Sequence, residues 1–328
     1  MESKRGTIYV AGATGYLGSA VVEELCSRYN NNNNNNNNND GGGEVVALAR
    51  NLSSKNIDHL RNLGATMVFA DAAKENYGNV FLKSDNVGTC ISCMAARPGS
   101  RGDDGDFYDI DRDANIAFGR AALRAGSRHL ILVATFEGKD SRQVSEFSNA
   151  KEVAVDVLRA ECKTYEGAKL TVIRPNAYFK DLTDGAFERI ANGGSHVVIG
   201  NGSTKINPVA KEDVAALIAD CVEEKKFDDD EDFLVGGPDI FTFQEIGALA
   251  AQVLGKPERT LVVRHVPLWF LRAIASVLGI VGQCSTRARR MMAMLHWMIF
   301  VSTHDGVAPC RGRRRLREHY EQMLKKDD

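Results

Sequence analysis

"IYVAGATGYLG", Ile8 to Gly18, decides the reading of the chain. A run of small and β-branched residues, the composition of a buried strand, empties into Gly12, Gly15 and Gly18 at three-residue spacing. Tyr16–Arg28 follows, with Leu17, Val21, Val22 and Leu25 on one helical face. Glycines at such a junction let the turn be tight. They also let backbone N–H groups meet an anion at the positively polarised N-terminus of the helix. A strand before, a helix after and a second strand further on make this the setting of a dinucleotide pyrophosphate. Gly12, Thr14, Gly15, Tyr16, Leu17 and Gly18 are the residues this assigns to the cofactor. The competing reading is an ordinary tight strand–helix turn of some other α/β fold.

Outward from that turn the two periods continue to alternate. Val45–Ala49, Thr66–Phe69, Val87–Cys93, His129–Thr135 and Leu170–Ile173 read as buried strands. Asp113–Ala125 carries Ile116, Phe118, Ala122 and Leu123 at helical spacing. Continuous apolar strands between helices predict an α/β fold whose doubly wound parallel sheet is covered on both faces. The asparagine run Asn30–Asn39, with the glycines after it, has nothing to bury, so 30–43 is expected to be a disordered surface loop. After Pro175 the expectations are a turn-rich hairpin over Gly200–Pro208, a helix over Glu212–Glu224 and an acidic loop over Phe227–Asp232. A further helix opens on a capping box, Thr242 with Glu245, and closes at Gly255. The C-terminal segment reads as helical. Residues 1–175 form the nucleotide-binding core; 176–328 supply the remaining core strands and a smaller C-terminal substrate lobe.

Composition narrows the function. The chain has 328 residues, 44% of them hydrophobic and 26% charged, enough to bury a full core. A formal net charge of -2 gives no overall field towards nucleic acid. Seven scattered cysteines make no secreted disulfide framework, which points to a reducing compartment. The opening MESKRG carries no apolar signal core, so a cytoplasmic location is expected as the sequence stands, and a chloroplast location if an import segment precedes it. Val266–Gly282 is interrupted by Arg272 and falls short of the ~20 apolar residues of a membrane span. The histidines form no metal-ligand cluster. "CISC", Cys90–Cys93, lies in a strand pattern and reads as core. Arg311–Arg317 reads as a solvated helix face, with an anionic surface or a partner as the alternative. Trp297–Val301 with Trp269 and Phe270 reads as core or oligomer interface, or as a cap over a large flat ligand. The oligomeric state is not legible.

The second strand ends "VVALARN". NAD sites place an acid near here for the ribose 2′-hydroxyl. This chain has Arg50, whose guanidinium can pair with a 2′-phosphate, so NADP(H) is the expected cofactor. Asp71, in "VFADA", can accept a hydrogen bond from the adenine amino group, and can equally be a loop acid or a helix cap.

Several stretches carry a resemblance: "GATGYLG", "AARPGSRGDDGDFYDID", "FSNAKEVAVDVL", "IRPNAYFKDL", and "INPVAKEDVAALIADCV" with a following "GGP". Together they resemble the atypical, extended-like branch of the short-chain dehydrogenase/reductase superfamily, from Ile8 to about Leu324. The fold this implies is a Rossmann fold. Within the branch they look most like divinyl chlorophyllide 8-vinyl-reductases. They are also similar to epimerase-like members and to the accessory subunit of respiratory complex I, which "HVPLWFLRAI" fits better. The superfamily's Tyr-x-x-x-Lys pair, with a Ser and an Asn, maps onto an altered set. Lys151 stands in place, but four residues earlier is Phe147. Thr135 is the hydroxyl at the Ser position, and Asp111 matches the Asn. Phe147 has no proton to give, which disfavours carbonyl–alcohol exchange. Lys151 is expected to hold the nicotinamide ribose and lend positive charge. Tyr178, Tyr108 and Lys151 are the candidate proton donors. The resemblance implies an NADPH-dependent reductase of a small-molecule substrate, acting on an activated carbon–carbon double bond. The alternatives are a non-catalytic NAD(P)-binding scaffold or assembly subunit, and an epimerase-like enzyme.

Overall fold

The computed structural model describes residues 6–30, 43–52, 55–71, 77–81, 86–96, 107–223, 232–282 and 285–327. In chain order the first elements are β1 (Thr7–Ala11), α1 (Tyr16–Asn30), β2 (Val45–Ala49), α2 (Lys55–Asn62), β3 (Thr66–Phe69), α3 (Gly78–Phe81), β4 (Val87–Ser92), α4 (Asn115–Arg124), β5 (His129–Val133) and α5 (Gly138–Ser141). Then come α6 (Glu146–Cys162), β6 (Lys169–Pro175), α7 (Gly185–Ala191), β7 (His196–Ile199), β8 (Lys205–Ile206), α8 (Lys211–Val222), β9 (Asp232–Val235), β10 (Phe241–Thr242), α9 (Phe243–Val253) and β11 (Val263–Val266). α10 (Leu268–Gly282), α11 (Thr286–Val301) and α12 (Leu316–Asp327) complete the chain.

The inner apolar runs form strands because they are buried on both faces, β2 having no exposed residue, while β3 at the sheet edge is partly exposed. The seven-stranded sheet has the order β3-β2-β1-β4-β5-β6-β9. Pairing is parallel, with Ile8 opposite Val45 and Tyr9 opposite Cys90. The order reverses between β1 and β4, and in such sheets ligands bind at the carboxyl ends of the strands at that point. This is the Rossmann architecture.

The chain divides into two compact units. The first takes Met1–Ala134, Ala150–Ile173 and Ala215–Phe233. Its core includes Tyr9, Leu48, Phe118, Leu130, Leu158 and Leu170. The second takes Thr135–Asn149, Arg174–Val214 and Leu234–Asp328, with Phe187, Ile246 and Tyr320 in its core. There Asn207 is a structural hub. Its amide donates to the Gly237 and Ala308 carbonyls, and its Oδ1 accepts from Asn176 Nδ2 at 2.7 Å. A Cβ on Gly236 would sit 2.0 Å from Asn207 Nδ2, and one on Gly237 1.9 Å from the Pro208 carbonyl. "INP" and "GGP" are therefore two halves of one packed contact.

Three expectations are corrected. Gly200–Pro208 is no hairpin: Gly200 and Gly202 (φ +66° and +71°) turn the chain, and the flanking strands pair elsewhere. β7 pairs in parallel with β11, and β8 pairs antiparallel with β10. The Asp113–Ala125 helix begins earlier, as a π-helical turn over Tyr108–Ala114 that leads into α4. Most of Arg311–Arg317 is not helical, because Asp213 draws the Arg313 and Arg314 backbone N–H groups to its Oδ2 at 2.8 and 2.9 Å. Helix resumes only at Leu316. The Thr242–Glu245 capping box is present. Of the expected 30–43 loop, 31–42 lies outside the described residues, as does 227–231 of the acidic loop.

Candidate nucleotide and catalytic site

In the first unit β1 ends at Ala11, and the chain turns at Gly12 with φ +74°. A Cβ there would come 2.9 Å from the Cys93 carbonyl, so the left-handed turn and the close approach both require glycine. A Cβ on Gly18 would lie 2.1 Å from the Gly12 oxygen, so this glycine lets α1 pack against the turn rather than touch a ligand. Leu17 is buried beneath it, while Tyr16 is half-buried at the helix start. Gly12, Thr14 and Gly15 line an open cleft with Leu48–Arg50, Ala70, Tyr77 and Cys93–Ala96. The first-turn N–H groups of α1 have no carbonyl of their own helix to reach. Arg50 lines the cleft exposed, and Asp71 stands half-buried two residues beyond β3. A bare glycine turn, a helix start and an exposed guanidinium fit a phosphorylated dinucleotide. Pyrophosphate would lie at Gly12–Gly15 and a 2′-phosphate at Arg50.

Lys151 meets Asp111. Both are buried, and Lys151 Nζ stands 2.8 Å from Asp111 Oδ1. Nζ also donates to the Met94 carbonyl at 3.0 Å and the Val133 carbonyl at 3.4 Å. Asp111 Oδ2 accepts from the Ala96 N–H at 3.0 Å. Burial raises the Asp111 pKa; Lys151 opposes that shift. Asn115, buried, accepts from Ser92 Oγ at 2.6 Å and donates to the Ile110 and Asp111 carbonyls, which pins the π-helical turn carrying Asp111. Sequence reasoning assigned Asn115 and Ser92 no role, although "DIDRDAN" contained the signal: a polar residue on the buried face of a helix. Tyr77 was likewise missed; its hydroxyl donates to Met94 Sδ at 3.2 Å in the cleft wall. Cys90 is core as expected. Cys93 is not in the strand: it follows β4 and lines the cleft, its thiol raised to about 12 by burial. The Arg112 guanidinium lies 4.7 Å over the Tyr108 ring.

Thr135 and Tyr178 belong to the second unit. Thr135 is buried, and its carbonyl accepts from Arg174 Nη1 at 3.0 Å. Its hydroxyl, and that of buried Ser148, have no hydrogen-bond partner among the described residues. Tyr178 is half-buried, bridged in parallel to Val209. The Phe147 ring meets Trp297 edge-on, with centroids 6.1 Å apart. Trp297 stacks on Phe300 at 5.9 Å, and Phe300 on His304 at 4.5 Å. A cavity of about 1110 Å³ is lined in part by Phe300, His304, Leu268, Asp140 and Glu137. Glu137, assigned no chemical role of its own from the sequence, is the one described non-glycine residue with positive φ, at 49°. Its carboxyl is held above its ordinary range by burial and by Asp140, against His304. A strained acid on a cavity wall suits proton transfer. Among the described residues no group of three or more metal-ligating side chains occurs, and no helix is long and apolar enough to cross a membrane.

Comparison with known proteins agrees with the Rossmann architecture and with NAD(P)H binding. Residues 12–225 match a family described as NAD(P)H-binding. The chloroplastic divinyl chlorophyllide a 8-vinyl-reductase of Oryza sativa subsp. indica is 29% identical over 284 residues, covering 83% of this chain and 65% of the rice protein. That of Cucumis sativus is 30% identical over 269 residues, covering 77% of this chain and 58% of the cucumber protein. The chain thus spans less than two thirds of the length of these curated relatives. An NADPH-dependent quinone oxidoreductase of Escherichia coli, solved with NADPH, has a TM-score of 0.65 at 18% identity, over 97% of this chain and 100% of that one. At that identity the likeness speaks for the fold alone.

Proposed function

We propose that this chain, which belongs to the NAD(P)H-binding family, is an NADPH-dependent reductase of the atypical short-chain type, acting on a vinyl group conjugated to a flat tetrapyrrole of the divinyl chlorophyllide class. Membership makes it an NAD(P)H-binding protein of oxidoreductase type; the substrate is our inference. Phe147 is the observation that carries it. Its ring packs on Trp297 where a tyrosine acid would stand, so a carbonyl oxygen has no phenol to protonate it. Addition of hydride to carbon has no such need. The names of the rice and cucumber relatives support the same substrate class, and their chloroplastic designation supports a plastid location.

NADPH, when bound, supplies the hydride. Gly12–Gly15 seat the pyrophosphate, and Arg50 pairs with the 2′-phosphate. Lys151 keeps a cation beside Met94, and its longest bond, 3.4 Å to Val133, is the one to exchange for a ribose hydroxyl. The stacked rings of Phe300 and His304, on the wall of the cavity, offer an aromatic surface to a flat substrate. One carbon of the vinyl group receives the hydride. The π electrons make the second C–H bond with a proton drawn from solvent.

A second reading is favoured by one observation. The three Lys151 donors are all engaged, with Asp111, Met94 and Val133, as in a structural lysine. That suits a nucleotide-binding scaffold or assembly subunit. Purified protein with NADPH and divinyl chlorophyllide a separates the two. The reductase consumes one NADPH per vinyl group converted to ethyl, followed by chromatography. Tight NADPH binding with no turnover would instead establish the scaffold.

A further inference from the structure

We infer that α10 and α11 form a docking face for the surface of a lipid bilayer bearing anionic headgroups. α10 buries Leu271 and Ala275. On the opposite arc it presents Trp269, Phe270, Ile274, Val277, Ile280 and Val281, from 36% to 73% exposed. Helical spacing puts these six on one face, since 270, 274, 277 and 281 follow one another by three or four residues, and 269, 273, 276 and 280 run alongside. α11 packs against α10, and a Cβ on Gly279 would lie 3.3 Å from Met292 Sδ. α11 adds Met291 and Met298, 51% and 43% exposed, at the spacing of Arg287. An exposed apolar patch of this extent is not ordinary surface.

Charge selects the occupant. Between Glu258 and Asp305 the chain has six arginines and no aspartate, glutamate or lysine. Arg289 is paired with Glu146, at 3.6 Å. Arg264, Arg272 and Arg287 are exposed, at the start of the segment, on the flank of the α10 apolar arc and on α11. A second copy of this chain would bring the same positive charges face to face, and a neutral apolar partner would gain nothing from them. An anionic bilayer satisfies both the apolar arc and its arginine rim. α10 has 15 residues, about 22 Å of helix, short of the ~30 Å hydrocarbon thickness, so it lies in the interface rather than across it. Trp269 at its N-terminal end is the side chain that favours the headgroup level. The inference is independent of the substrate proposed above.

Flotation of the full chain with vesicles tests it, using phosphatidylcholine alone and phosphatidylcholine mixed with phosphatidylglycerol. Binding is expected to the mixed vesicles and to weaken as salt is raised. V277D with I280D should abolish flotation while leaving melting temperature and NADPH affinity unchanged, since both side chains point outward. R272Q with R287Q should weaken binding about thirtyfold, roughly fivefold per charge. Equal binding to both vesicles, or none to either, overturns the inference. So does a wild-type dimer in sedimentation that V277D/I280D splits into monomers, which would assign the face to a second copy.

Discussion

Arg50 is the side chain to which we assign the choice of cofactor. It stands exposed at the end of β2, on the wall of the cleft that begins at Gly12. Charge-assisted pairs to phosphate contribute about 1.5–3 kcal/mol. Arg50→Ala is therefore expected to weaken NADPH binding roughly ten- to a hundredfold and NADH far less, measured by titration of cofactor fluorescence. Equal losses for both cofactors would exclude the role. The Lys151–Asp111 pair behaves differently, because both partners are buried. Removing one side leaves an unpaired charge inside the protein, at a cost of about 3–5 kcal/mol, whereas replacing both with apolar groups is close to neutral. Asp111→Leu alone should be strongly destabilising in urea, and Asp111→Leu with Lys151→Met should recover most of the loss. The two residues were singled out one by one, through the resemblance to an altered catalytic set. Their pairing was not, since it depends on a π-helical turn that Asn115 holds by side-chain bonds no helical period records. The conformation of Glu137 was not legible for a related reason: a left-handed glutamate looks like any loop acid until its φ is seen.

At the scale of elements, legibility followed burial. β1 and β2 begin and end where their apolar runs do, because parallel strands buried on both faces advertise themselves continuously. β7, β8, β10 and β11 were misread or missed, as strands of two to four residues whose partners lie far along the chain. The central sheet also hides a polar ladder that its hydrophobic pattern does not announce. His129 on β5 lies between Thr171 of β6, 2.9 Å from Nε2, and Thr89 of β4, 3.5 Å from Nδ1. Burial, with Lys169 nearby, lowers the His129 pKa from 6.5 to about 3. The folded state therefore keeps this imidazole neutral while the unfolded chain takes up a proton below pH 6.5. Stability from this group is present above that pH and is lost as pH falls towards 3, at ~1.4 kcal/mol per pH unit. Urea unfolding at pH 7 and pH 5 should differ by about 2 kcal/mol more in wild type than in His129→Gln, whose amide can still bond both threonines. The same pH slope in both proteins would mean that His129 takes up its proton in the fold as readily as in the unfolded chain.

The whole molecule is interleaved. The nucleotide-binding unit is not finished at Pro175, for Ala215–Phe233 belongs to it as well. That late segment carries most of α8 and the start of β9, the strand beside β6 at the sheet edge. It also holds the first helix: Arg28 of α1 donates to Asp220 at 2.7 Å and to the Ala216 carbonyl at 3.2 Å, with Glu223 at 3.6 Å. Arg159 of α6 pairs with Asp232. The sequence reading assigned the remaining core strands to 176–328 but named no apolar run there. It gave no sign of the ion pairs that tie α1 to the return, because charged pairs set by tertiary folding have no period. A fragment ending at residue 175 would expose the β6 edge and leave Arg28 without these acceptors, and exposed parallel edges recruit other chains. Residues 1–175 alone should therefore aggregate, or protect their backbone amides poorly and bind NADPH at least tenfold more weakly than the full chain. Joining 1–175 through a Gly/Ser linker to 211–235 should restore both properties, because it returns α8 and β9 without the rest of the second unit. Amide exchange and NADPH titration on the two fragments decide the matter. Full nucleotide affinity in 1–175 alone would show that the late return is dispensable to the fold of the nucleotide unit.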